Sequence, residues 1–146
     1  MPFDQSRASS SIGGWLLVLC VLLLVWQPLS LALIAAAALD KLIVRGLPMA
    51  LVLMLRIAVT AFGIAAALAV MRRRPAGIGM LRISLLLSAG TDLFVYATPH
   101  FPSNRMPGDT AYYVAGTLVY YALWMRYLAR SRRVRAFAHR GQADFP

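Results

Sequence analysis

Two charged residues stand inside long apolar stretches of this sequence: Arg56 within 48–71 and Asp92 within 78–98. A guanidinium and a carboxylate in hydrocarbon have three courses open. They can pair and register two helices, or form part of a proton or ion path. They can also stay apart, the arginine snorkelling to the headgroups and the acid protonated or wet. Each charge alone costs roughly 2.5 to 3.5 kcal/mol at mid-membrane on insertion scales, so the separated pair costs about 6 kcal/mol and pairing offsets much of it. The spacing favours the pair. Arg56, Thr60, Gly63 and Ala67 recur at i, i+4, i+7 and i+11 and so share one helix face. Ser84, Ser88 and Asp92 recur every four residues on the next segment, with Thr91 beside them. Laid antiparallel, Arg56 meets Asp92, Thr60 meets Ser88, and Gly63 and Ala67 face Ser84. Small and hydroxyl residues let membrane helices approach closely and hydrogen-bond, which drives association where no hydrophobic force acts between helices. The expected site is therefore an intramembrane polar pair and stripe of Arg56, Asp92, Thr60, Ser84 and Ser88.

Other chemistries find little to work with. Cys20, Ser84 and Ser88 have no histidine or second carboxylate near their depth, so no nucleophile has a base. His100 and His139 are isolated, without a second ligand at helical spacing. We expect no catalytic residue, metal or cofactor. Cys20 has no partner for an internal disulfide, so it does not report on redox compartment.

The elements that carry the charges are membrane segments. Sixty per cent of the residues are apolar and 14% charged, with a mean hydropathy of +0.69, which fits one integral membrane unit better than a soluble domain. Four apolar segments are expected, at about 12–39, 48–71, 78–98 and 110–129, in an all-α bundle spanning 12–129. The first, 28 residues long, makes roughly 42 Å of helix against a hydrocarbon core of about 30 Å, so it must tilt or kink, and Pro28 after Gln27 supplies the kink. Its apolar run continues well past Ser30-Leu31-Ala32, which argues against a cleaved leader. A polar connection is expected over 40–47, Pro48 suits the first turn of the second helix, and Arg72, Arg73, Arg74 and Pro75 end it. Asp109 and Thr110 are expected to cap the fourth helix. Counted from the segment ends, Arg56 lies about 12 Å and Asp92 about 9 Å in from the same face, so they can reach each other.

Charge sets the orientation. With four spans and a cytoplasmic N-terminal segment at 1–11, Arg7, Arg72, Arg73, Arg74, Arg82, Arg126, Arg130, Arg132, Arg133, Arg135 and Arg140 lie inside. Only Lys41, Arg45 and Arg105 lie outside, eleven against three, so both termini are expected in the cytoplasm. Tyr112 and Tyr113 then fall at the outer interface, and Trp124 and Tyr127 at the inner one. The net charge of +10 sits beside the ends of apolar runs and not on a polar face that could track phosphates, so no nucleic-acid partner is expected. Arg72, Arg73, Arg74, Arg130, Arg132, Arg133 and Arg135 form a membrane-surface basic set. The tail at 130–146 reads as an interfacial extension drawn to anionic lipid headgroups at about 1 kcal/mol per charge, with Val134 and Phe137 as apolar contacts.

Two stretches, Gly13-Gly14-Trp15-Leu16 and Tyr127-Leu128 with Ser131-Arg132-Arg133-Val134, together with four apolar segments and a basic second connection, resemble domain of unknown function 2569, a family of small bacterial membrane proteins. Arg132 stands where lysine is usual in that family, and Ala136 where threonine is common. The resemblance implies a multi-pass protein of the bacterial inner (cytoplasmic) membrane and brings no activity or catalytic residue. The leading expectation for function is a structural or accessory protein acting through helix contacts, with itself or with another membrane protein. The alternative is a small transporter or channel subunit using Arg56 and Asp92. A polar cavity open to one side and lined by that pair favours transport, and tight packing around it favours the structural role.

Overall fold

The computed structural model describes residues 14–74, 76–98, 108–131 and 134, with the backbone alone for 40–45. Among the described residues every element is helical: α1 (Trp15–Val21), a π-helical turn (Leu22–Trp26), α2 (Gln27–Met71), α3 (Gly77–Ala97) and α4 (Thr110–Arg130). Three stretches are long and apolar enough to cross a membrane, Trp15–Leu39, Gly46–Met71 and Gly77–Ala97. At 21 residues α4 has the length of α3, but five tyrosines and two arginines make it more polar.

The first rod, Trp15–Leu39, is followed by Gly46–Met71, α3 and α4 as the other three. Gly14 takes a left-handed φ of 69° ahead of Trp15, a conformation only glycine adopts without strain. The irregularity expected from Pro28 falls in the turn before it, as the π segment in which the Gln27 amide reaches back to the Leu22 carbonyl. Widening that turn gives room to a proline ring that would otherwise press on the carbonyl four residues earlier.

The expected connection over 40–47 is corrected by the backbone, which stays helical through residue 45 and bends at Gly46 (φ 64, ψ −148). Polar side chains alone do not end a helix, and nothing before Gly46 removes a donor or favours positive φ. Asp109 occupies the start of α4 but makes no side-chain cap; its backbone carbonyl accepts from the Tyr112 and Tyr113 amides instead.

The turn between α2 and α3 has a distinct construction. The Arg74 amide bonds the Ala69 carbonyl and the Arg73 amide bonds the Val70 carbonyl, the paired pattern of a Schellman close. The left-handed position in that motif belongs to Arg73 (φ 55) in place of the usual glycine. An arginine there costs about 1 kcal/mol over glycine, so the exposed charge of Arg73 is held against local conformational preference.

Packing divides into two apolar clusters with a polar layer between. Near the Arg72 turn, Leu16, Leu19, Leu23, Ala66, Val70, Leu81, Leu85 and Leu128 form the larger cluster. Near the Gly46 bend, Ala38, Met49, Val52 and Val95 form the smaller. α4 is tied down at one end. Leu128 is its buried residue, the Arg82 Nη2 donates to the Leu128 carbonyl at 3.0 Å, and Trp124 meets Trp15 edge to face with centroids 6.3 Å apart. The arginine thereby satisfies a carbonyl that the end of the helix leaves without an intrahelical partner. Val134 joins the same cluster, 1% exposed, with its amide 3.5 Å from the Ser131 hydroxyl.

Candidate functional site

The polar layer is built from all four rods. The second arm of α2 supplies Arg56 and α3 supplies Asp92, and the Arg56 Nη2 donates to Asp92 Oδ1. The other carboxylate oxygen, Oδ2, accepts from the Tyr121 hydroxyl of α4 at 2.8 Å. Both charged side chains are largely sequestered, 16% and 21% exposed. Helices α2, α3 and α4 are thus joined through one carboxylate. Away from water, each oxygen of the carboxylate keeps a hydrogen-bond donor.

The first rod enters through Gln27. Its Nε2 donates to the Ser88 hydroxyl at 2.8 Å, and Ser30 Oγ donates to the Gln27 carbonyl at 2.8 Å. Thr91 bonds the Leu87 carbonyl one turn back at 2.7 Å, so its hydroxyl is satisfied within α3. Close approach depends on Gly63. A Cβ at that position would lie 2.9 Å from Gln27 Oε1 and 3.1 Å from Ser84 Oγ. Those two atoms are buried without a hydrogen-bond partner among the described residues, so the polar lining ends here in two uncompensated groups.

Of the expected stripe, Arg56 and Asp92 are brought together, Ser84 faces Gly63, and Thr60 and Ser88 line one cavity. The Ser88 hydroxyl, expected to meet Thr60, takes its hydrogen bond from Gln27. Of the basic set, Arg72, Arg73, Arg74 and Arg130 are exposed, whereas Arg132, Arg133 and Arg135 lie outside the described residues. Sequence reasoning passed over Gln27 and Tyr121. A glutamine inside a long apolar run was the available signal for the first, while Tyr121 looked like one more aromatic in a tyrosine-rich helix.

Beside the pair is a half-open cavity of about 470 Å³, within the size range of small-molecule sites. Arg56, Asp92, Gln27, Ser88 and Tyr121 give it a polar floor, and Leu22, Trp26, Leu31 and Ile34 an apolar wall. Its π-turn residues Leu22, Leu23 and Trp26 belong to a feature that recurs at functional sites. Among the described residues no group of three His, Cys, Asp or Glu could hold a metal. No family model matches the chain, and neither the curated proteins nor the solved structures contain a match.

Proposed function

We propose that this chain is a four-span protein of the bacterial inner (cytoplasmic) membrane, both termini inside, that binds a small ligand beside Arg56 and Asp92, as a small transporter or channel subunit does. The observation that carries the reading is the cavity. A pair serving only to register helices needs close packing around it, and here about 470 Å³ of space adjoins it. Four crossings and the orientation rest on the eleven-to-three division of basic residues and on the length of α4. The family reading rests on Gly14, Trp15 and the Ser131-to-Val134 stretch, whose serine and valine have local structural roles.

The test is native mass spectrometry of the full chain released gently from its own membrane. One non-protein mass per chain is expected, lost in Gly116→Phe and kept in Gly90→Phe. Gly116 lines the cavity, and at both glycines a Cβ would meet nothing within 4 Å, so the first variant fills the site while the second controls for bulk. An unliganded native chain, or equal retention in both variants, overturns the reading.

A further inference from the structure

The position of the cavity's rim narrows the class of ligand; this inference rests on the ligand-binding reading above. Trp26 and Tyr120 both line the cavity and are 63% and 41% exposed. Trp26 is the twelfth of the 25 residues of Trp15–Leu39, and Tyr120 the eleventh of the 21 of α4. Both stand near mid-depth, where the surroundings of a membrane helix are acyl chains and where amphipathic rings are normally scarce. From there the rim continues to Tyr112, which is 81% exposed. That slot runs about 12 Å along α4 at the helical rise. Between its ends Gly116 carries no side chain and has open space around it.

Among the described residues, the helices flanking the slot meet at the Leu128 end. α4 meets the first rod through Trp124 and Trp15 and is buried at Leu128. From mid-helix towards Thr110 it leans on α3, through Tyr121 to Asp92 and then Tyr113 against Tyr96. The seam between the first rod and α4 therefore opens sideways.

We propose that the cavity takes an amphiphile from the bilayer through this slot, its head on the Arg56, Asp92 and Tyr121 floor and its chain leaving between Trp26 and Tyr120. At the mid-depth end of the slot a wholly polar solute would turn one side to hydrocarbon without hydrogen-bond partners, which is costly, whereas an amphiphile places its chain there. The head carries no net charge. Arg56 and Asp92 neutralise each other across their bond, and an added charge in this layer would lack a counterion.

The full chain in nanodiscs is photolabelled with a zwitterionic phosphocholine lipid bearing a diazirine near its head, and labelled peptides are mapped. Label on the Leu85-to-Asp92 peptide is expected to be at least fivefold higher in the native chain than in Gly116→Phe, and unchanged in Gly90→Phe. Soluble glycerophosphocholine bearing the same diazirine should leave that peptide unlabelled, and an anionic lipid probe should label it several-fold less than the zwitterionic one. Equal labelling by the soluble probe, or stronger labelling by the anionic one, overturns this proposal while the co-purified mass still supports a ligand site. Equal lipid labelling of the native chain and Gly116→Phe overturns lateral entry whatever mass is retained.

Discussion

Asp92→Asn lowers the stability of the protein in detergent by about 2 to 3 kcal/mol. Removing one partner of a fully buried pair costs about 3 to 5 kcal/mol because the other charge is left behind, and residual exposure of 16% for Arg56 and 21% for Asp92 moves the figure below that range. Arg56→Leu takes away the guanidinium and leaves the carboxylate, among the described residues, with the Tyr121 hydroxyl, so its cost is similar. The double change removes both charges and recovers at least 1 kcal/mol of the summed loss. Tyr121→Phe, which deletes one hydrogen bond of a still-paired carboxylate, costs about 0.6 kcal/mol, typical of such bonds between membrane helices. Reversible unfolding of the two single variants, the double variant and the parent gives the coupling directly. Additive losses would show that the two side chains do not stabilise each other.

Gly77→Ala is the second large effect, about 1 to 3 kcal/mol in the same assay, the cost of overpacking a closed contact. A Cβ there would sit 3.0 Å from the Val70 nitrogen and 3.1 Å from the Ala69 carbonyl carbon and Val70 Cα. These are backbone atoms at the end of α2, held by the Schellman bonds of the Arg72 turn, so no rotamer change relieves the contact. At Gly79, two residues on, a Cβ meets nothing within 4 Å, and alanine gains helix propensity of up to about 1 kcal/mol. Gly79→Ala is therefore neutral or slightly stabilising. Equal losses at the two positions would show that the close approach of α2 and α3 is not what Gly77 serves.

Much of this architecture was legible because membrane helices advertise themselves by length and apolarity, and because charge inside them is rare enough to notice. Arg56 and Asp92 could be matched in depth by counting from the segment ends, and Gly63 could be placed against Ser84 by its register with Arg56. The break at Gly46 was less legible. A polar run of Asp40, Lys41 and Arg45 looks like a loop, yet only the glycine departs from helical dihedrals. The π turn ahead of Pro28 was unreadable in detail, since proline signals a disturbance without saying which turn absorbs it. Tyr121 could not be assigned to Asp92 because the rotation of α4 depends on where Leu128 anchors it. The cavity itself is a property of how far two helices splay, and no residue type encodes that.

The most direct test concerns the path of the chain, since α4 is not among the three stretches apolar enough to cross a membrane. Paired topology reporters inserted after Arg73 and after Ser131 decide it in one measurement. Both reporters are expected on the cytoplasmic side, with α3 and α4 each crossing once and the polar layer enclosed by four spans. Reporters on opposite sides would mean three crossings, with α4 outside the bilayer interior and the slot beside Gly116 facing water.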